Sequence, residues 1–343
     1  MYYKKRLEQG LCNVKRYLIV ALFITIFCGS GNVLLAGTTV TSSPDNVPVA
    51  DMIAGFQNKS DAYGTAIAQA YALGNISGYA IGSSYLGSVP HLYIGFGLNA
   101  GLTNMQRFDG DKNAIPGFGL NPTFMFGLGL GKGLDILGKA FIYSSGMYKP
   151  PVDTAYLKLN KLNIYSFGGK LRYNIIKRKT LMPGVFHFEG ITLSAGADAM
   201  YGQFKFSGNY ANTFNLPVSG TDTDVGVDMD YTADLNYLVI SGNTQAIVYA
   251  NVFFLFNVYT GLGLALNFGS INSDLTVDGP VTGGTTGTLT AASKNKYKPN
   301  YFMPTYILGI EVDLFAFQIC LESMVDLTNG QDINMALSIR SQW

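Results

Sequence analysis

Apolar and polar side chains alternate with a period of two over many stretches of this 343-residue chain. In the stretch 91–103, Leu92, Ile94 and Phe96 share one parity, while glycines and polar residues take the other. Successive side chains of a β-strand point to opposite faces, so each stretch predicts a strand with one apolar and one polar face. The predicted strands are 78–86, 91–103, 122–131, 135–145, 163–177, 191–208, 227–240, 245–268, 301–314, 318–327 and 333–343.

The length of these strands and the low charge favour a barrel in a membrane over a soluble sandwich. Many of the strands exceed the roughly 5–6 residues of an average globular strand. Charged residues make up 13% of the chain, against about 25% in soluble domains. No stretch after Cys28 reaches the roughly 18 uncharged apolar residues that would indicate a membrane-spanning helix. We therefore predict an all-β fold, a transmembrane antiparallel β-barrel of about 12 strands (10–14), over residues 78–343.

The strand count leaves an ambiguity, because eleven predicted strands are an odd number and bacterial barrels normally have even ones. A further strand within 47–57 would correct the count, as would a hairpin at Phe256 and Asn257 inside 245–268. A helix that enters the lumen first is a third solution. We prefer the extra N-terminal strand, since splitting 245–268 would exchange the sides of the loops before it.

Residues 1–37 have the three parts of an export signal. Basic residues at the start precede the apolar run 17–28, and small residues follow it up to a predicted cleavage near residues 36–37. A retained membrane anchor is the alternative. Residues 38–77 are predicted to form a polar segment with one short helix at 60–73, which Gly74 can end. That helix either plugs the lumen or lies at the periplasmic interface; the alternative is an ordinary N-terminal cap.

The last strand carries the most specific pattern. Apolar side chains recur at alternate positions and the chain stops on an aromatic residue. In this respect the sequence resembles bacterial outer-membrane β-barrel proteins, although Ser341 departs from the pattern. The resemblance implies an outer-membrane location and recognition of the last strand by the barrel-assembly machinery. The residues of this assembly signal are Met335, Leu337, Ile339 and Trp343.

The loop lengths fit a C-terminus in the periplasm. The long connections 104–121, 146–161, 209–226 and 269–300 then fall outside the cell. The short connections 87–90, 132–134, 241–244 and 315–317 fall in the periplasm. Long outer loops and short inner turns are typical of outer-membrane barrels.

The sequence offers little for catalysis or cofactor binding. His91 and His187 lie far apart and lack metal-ligand spacing, so we expect no enzyme, no cofactor and no metal. Cys320 would be alone once the signal is removed. The glycine-rich run 127–133 fails the phosphate-loop pattern, and its alternate glycines instead let side chains pack inward. With 23 basic and 22 acidic residues, nothing points to nucleic acid.

Charged side chains on the presumed inner parity are the candidate functional residues. A lysine or arginine that faces lipid at mid-depth costs about 2–4 kcal/mol, so such groups should point into the barrel. They would either line a water-filled path and set its ion preference, or pair across a closed interior. The candidate lumen-lining residues are Lys170, Arg172, Asp228, Asp230, Asp234, Glu311, Asp313 and Glu322.

Three functions fit this sequence. The leading hypothesis is a channel for passive or weakly selective passage of a small solute. The second is a surface-exposed adhesin or structural barrel whose outer loops bind an extracellular ligand. The third is a transporter of hydrophobic ligands that resembles the fatty-acid barrels, with the 60–73 helix as a hatch. Outer-membrane lipid is a partner in all three.

Overall fold

Over the residues that it describes, the structure, a computed structural model, is almost entirely antiparallel β-sheet with one helix, α1, over residues 64–76. It describes residues 39–42, 64–86, 91–103, 117–145, 153–154, 157–176, 178–218, 221–282, 287–314 and 317–343. The strands are β1 Thr39–Ser42, β2 His91–Thr103, β3 Gly117–Gly131, β4 Leu134–Ser144, β5 Asp153–Thr154, β6 Leu157–Ile176, β7 Lys179–Met182, β8 Phe186–Val218, β9 Thr221–Val252, β10 Phe256–Thr282, β11 Gly287–Tyr297, β12 Phe302–Leu314, β13 Phe317–Asp326 and β14 Ile333–Gln342.

Ten of these strands close into a ring of hydrogen bonds. Each pairs antiparallel with the next, and β14 pairs back onto β2 through Ile333↔Leu102 to Gln342↔Tyr93. The ring order is β2, β3, β4, β6, β8, β9, β10, β12, β13, β14. The remaining strands attach at the two ends and complete a 14-stranded sheet. The predicted transmembrane barrel is confirmed, within its range of ten to fourteen strands.

The period of two has the predicted consequence for burial. On β2, Ile94 is 58% exposed while the neighbouring Tyr93 is fully buried inside the ring. The same contrast holds around the barrel, where the outward parity carries exposed aliphatic and aromatic side chains. A belt of this kind can only be stable against lipid, because a soluble surface of this size would aggregate.

The upper edge of the apolar belt is visible on the long strands. On the outward face of β9, the apolar Leu238 and Ile240 give way to Asn236 and Asp234 as the strand continues. The neighbouring strands change at the same height, since Gln203 on β8 and Asn272 on β10 both pair with Asn236. Strands β8, β9 and β10 therefore continue beyond the bilayer, where β11 joins them in a sheet whose outward face is polar.

Short connections identify the opposite, periplasmic end. Residues 132–133, 183–185 and 253–255 form tight turns there, and the C-terminal Trp343 lies at the same end, where its amide donates to the carbonyl of Leu92 at 2.9 Å. Long extensions at one end and short turns at the other are the arrangement typical of outer-membrane barrels, in which the short turns lie in the periplasm.

Three predictions about the elements were wrong. Residues 78–86 are not a strand, and the ring begins at His91. Residues 241–244 are not a turn, because β9 runs unbroken through them and pairs on both sides. The predicted loops 209–226 and 269–300 are largely strand. The alternative hairpin near Phe256 and Asn257 does exist, as a turn at 253–255, and it replaces the lost turn so that the later loops keep their sides.

The N-terminal predictions are only partly covered. The export signal 1–37, the strand proposed within 47–57 and the predicted helix start at residue 60 lie outside the described residues. Gly74 does not end α1, which continues to residue 76, and the left-handed turn after it is made at Gly78 (φ 97°). Among the residues that the structure describes, no helix is both long and apolar enough to cross a membrane.

The boundary of the belt makes a prediction about matched positions on one strand. Leu262 and Asn272 both point outward on β10, and Leu262 lies at mid-depth, 59% exposed to lipid. Leu262→Lys should destabilise the barrel by about 2–4 kcal/mol. Asn272→Lys, beyond the belt, should change stability by less than about 0.5 kcal/mol. Urea unfolding in lipid vesicles measures both, and equal effects would contradict this boundary.

Candidate functional site

The lumen of the ring is filled by the chain's own N-terminal segment, which consists of α1 and residues 77–86; we refer to residues 64–86 as the plug. Alternate small side chains let the helix approach the wall, and Ala68, Ala70 and Ala72 are all fully buried. The wall also has no side chain at this contact. Gly101 on β2 lies so close to the backbone of Ala70 that a Cβ would not fit between them. Such close approach of two backbones requires glycine on one side.

A buried lysine of the wall caps the end of α1. The amine of Lys139 on β4 donates to the carbonyl oxygens of Asn75 and of Ser77, the latter at 2.6 Å. The last carbonyls of a helix have no partners within it and carry partial negative charge, which a cation satisfies. Lys139 also pairs with Asp198 of β8 at 3.0 Å, and both side chains are fully buried.

The carboxylate of Asp198 also accepts hydrogen bonds from other side chains of the plug and the wall. It accepts one from the hydroxyl of Tyr79 at 2.8 Å and one from the amide of Asn243 at 2.6 Å. The Tyr79 ring lies beneath two amines, with Lys139 4.9 Å and Lys170 4.6 Å from its centroid. One carboxylate therefore joins β4, β8, β9 and the plug.

A second buried ion pair fastens the plug nearer the periplasm. Arg172 on β6 contacts Asp135 on β4 at 2.8 Å, with both side chains almost completely buried. The guanidinium also donates to the carbonyl of Ser83 at 2.7 Å, and the carboxylate accepts from the amide of Leu86 at 3.3 Å. Each member of the pair thus holds one backbone group of the plug.

A third pair repeats this arrangement on the other side of the ring. Arg340 on β14 binds Glu311 on β12 through two hydrogen bonds of 3.0 and 2.7 Å. Glu311 also accepts from the amide of Gly82 at 2.9 Å. An arginine and a carboxylate joined in this bidentate manner form the strongest kind of side-chain hydrogen bond.

Lys170 and Glu322 are buried beside a small interior cavity. The amine of Lys170 donates to Gln245 at 2.9 Å, and Glu322 accepts from the hydroxyl of Tyr259 at 2.8 Å. The cavity that both side chains line has a volume of about 20 Å³. That space lies between the plug and the wall and could hold about one water molecule, which is too little for a path through the barrel.

The predicted charges on β9 were assigned to the wrong side. Asp228 and Asp230 are exposed on the outward face, where Asn209 donates to both, and Asp234 is half-buried beside Gln203. They lie beyond the apolar belt, so their surroundings are water and the cost that drives charge inward does not apply. The inward face here is aromatic instead.

The remaining predicted residues lie elsewhere on the ring. Asp313 is near the periplasmic end, where it accepts from Asn257 at 2.9 Å. The assembly-signal side chains Met335, Leu337, Ile339 and Trp343 are all exposed on the outward face or at the end of the ring.

Four charged residues of the plug contacts were missed: Asp135, Lys139, Asp198 and Arg340. On β4, Asp135 and Lys139 lie on the same face as the apolar Leu137. Because of this leucine, the face does not read as polar in the sequence. All four could have been predicted from the energetic cost of placing a charge in lipid, if that rule had been applied to each charged residue of every strand. Over the described ranges, no cluster of His, Cys, Asp and Glu side chains is arranged to hold a metal ion.

The ion pairs give a test of their role. Asp198→Asn removes the carboxylate from the buried amine of Lys139, and loss of one partner of a buried pair costs about 3–5 kcal/mol. Asp274→Asn is the matched control, since its pair with Lys294 is exposed and should contribute at most about 1 kcal/mol. Guanidinium unfolding of the vesicle-embedded protein measures both, and a small effect of Asp198→Asn would refute the role of this pair.

Comparison with protein families gives one match. A family described as Lsa36-like matches residues 51–343, which is most of the chain. Curated protein sequences give no match.

Solved structures with a similar arrangement of strands are outer-membrane proteins. The translocator domain of the autotransporter NalP from Neisseria meningitidis is 8% identical, with a TM-score of 0.29, and the match covers 75% of this chain and 89% of that one. The toluene transporter TbuX of Ralstonia pickettii is 10% identical, with a TM-score of 0.24 and coverage of 75% and 90%. At this level the similarity identifies no function.

Proposed function

We propose that this chain, which belongs to the Lsa36-like family, is a closed outer-membrane barrel that holds a β-sheet outside the cell for binding an extracellular partner. The observation that carries the proposal is the filled lumen. A barrel whose interior is occupied by its own chain has its binding surface at the outer end.

The plug is held too firmly to serve as a passive pore lining. Buried ion pairs through Lys139, Arg172 and Arg340 each contact plug backbone or lie against it. If the plug left, the carbonyls and amides that it presents would lose these partners, and each buried group left without a partner costs about 1–3 kcal/mol. This favours a closed resting state over the channel hypothesis. In a transporter of hydrophobic ligands that uses the helix as a hatch, the same contacts would make the hatch slow to open.

The outer sheet is large enough to act as a binding surface. From Gln203 at the belt edge, β8 continues to Val218 and pairs with β9 along the whole distance. At about 3.3 Å per residue, the extension projects roughly 50 Å along the strand. Its described surface carries carboxylates and amines together, as in the pair of Asp274 with Lys294. Mixed charge suits a protein partner better than a single small ion.

Electrical recording separates this proposal from the channel hypothesis. The wild-type protein in planar bilayers should show no steady conductance, because the plug occupies the lumen. Gly101→Leu should create conductance, since a side chain there displaces α1. Gly242→Leu is the control, because a Cβ at Gly242 has no atom within 4 Å and the plug should stay in place. Steady ion-selective conductance from the wild type would overturn the closed state.

Trimming the outer sheet tests partner binding. Residues 210–229 can be replaced by Asn-Gly, a sequence that favours a two-residue hairpin turn between Asn209 and Asp230. The pairing of β6 with β8, which ends at Ser207, is untouched. Cells that display the wild type should adhere to surfaces coated with extracellular-matrix protein, and cells with the trimmed protein should lose most of that adhesion.

The barrel itself provides the control for trimming. The trimmed protein should still change its electrophoretic mobility on heating, as folded outer-membrane barrels do, and Gly242→Leu should adhere like the wild type. Equal adhesion by trimmed and wild-type proteins would exclude the outer hairpin of β8 and β9 as the binding surface.

A further inference from the structure

The plug begins at the outer end of the barrel. Gly64, the first residue of α1, is so close to the ring of Tyr297 that no Cβ would fit between them. Tyr297 pairs with Ile271 on β10, beyond Phe268, which is the last exposed apolar residue on the outward face of that strand. Two residues further along α1, the carbonyl of Ala66 accepts from the hydroxyl of Thr103, the last residue of β2.

The plug ends at the periplasmic side. The carbonyl of Leu86 accepts from the side chain of Gln342, at the end of β14, at 2.6 Å. The amide of Leu86 lies against Asp135, which is one residue into β4 after the periplasmic turn at 132–133. The first ring strand then starts at His91, at the same end.

The length of the plug agrees with a complete crossing. The thirteen residues of α1 span about 20 Å at 1.5 Å per residue. The ten that follow span up to roughly 33 Å when extended. Together they exceed the apolar band of about 25 Å. The chain therefore crosses the membrane once through the lumen, from outside to inside, before it begins the ring.

The strand upstream of the plug supports the same direction independently. β1 pairs antiparallel with β11, from Thr39↔Ala292 to Ser42↔Leu289. The facing residues of β11 pair in turn with β10 between Thr276 and Gly279, in the part of the sheet beyond the belt. β1 is therefore an added strand of the outer sheet.

From these two observations we infer that the barrel displays its own N-terminal polypeptide at the cell surface. The plug is the trailing part of a segment that has crossed the outer membrane, and β1, which precedes it in the chain, lies outside. In its described part, residues 64–86, the crossing segment is one helix followed by a stretch without strand pairing. This is a display activity for polypeptide, separate from the partner binding proposed above.

Epitope insertion tests the direction of the crossing. One tag is placed after Ser42, a second after Gly330 in the outer turn between β13 and β14, and a third after Gly184 in the periplasmic turn. Antibody should bind the first two on intact cells, and the third only after the outer membrane is permeabilised. A Ser42 tag that needs permeabilisation like the Gly184 tag would overturn the inference.

A cross-link tests the placement of β1 without antibodies. Thr41 and Thr290 face each other in the β1–β11 register, and directly opposed residues in antiparallel strands are close enough for a disulfide. Thr41→Cys with Thr290→Cys should cross-link on mild oxidation of whole cells. Thr41→Cys with Lys179→Cys, at the periplasmic end, should not. Cross-linking of the second pair alone would place the N-terminal segment in the periplasm.

The two experiments remain informative if partner binding fails. Neither uses an extracellular ligand, so loss of adhesion in the trimmed protein leaves their outcome unchanged. Heat-dependent mobility of each tagged or cysteine variant establishes that its barrel is folded. A folded variant with the Ser42 tag hidden on intact cells contradicts display directly.

Discussion

The contact between Lys139 and the end of α1 is the interaction on which the interior depends. A helix that ends inside a barrel leaves carbonyl groups that have no partner within the helix, and each must find one in its surroundings. Lys139 supplies that partner, and Asp198 compensates the buried charge of the lysine. The amine, the carboxylate and Tyr79 then fix where the helix stops and where the extended part of the plug begins. The other two ion pairs hold that extended part against β4, β6, β12 and β14.

The barrel was predictable because lipid imposes one rule on every strand that it touches. The outward parity of β2 follows this rule throughout, and that of β14 follows it up to the polar Ser341; both strands were found with nearly the right ends. The turn at 253–255 was not predicted at its position, because left-handed turns usually require glycine or asparagine. Here Phe253 and Phe254 adopt the positive φ values of 53° and 58°. Aromatic side chains at the interface of the membrane explain why phenylalanines stand there.

The site was predictable only inside the belt. Lys170, Arg172, Glu311 and Glu322 lie on the inner face, where the lipid rule places charge. Asp228 and Asp230 lie above it, and alternation alone carries no information about height along a strand. The sequence also gave no means of pairing Lys139 with Asp198, since these residues come from strands separated by β6 in the ring. Side-chain partners across a lumen depend on the tilt and closure of the sheet, which are properties of the whole barrel.

The seam between β2 and β14 has a consequence for how the molecule forms. These strands are the first and last of the ring, so the ladder from Leu102 to Gln342 joins the two ends of the barrel sequence. Contacts of such long range form slowly, because the entropy of closing the intervening chain is lost before any bond is gained. Until the seam closes, two strand edges remain unpaired, and a bilayer offers them no hydrogen-bonding groups. Membrane insertion and closure of the ring at the β2–β14 seam are therefore a single cooperative event, with no stable half-barrel between them.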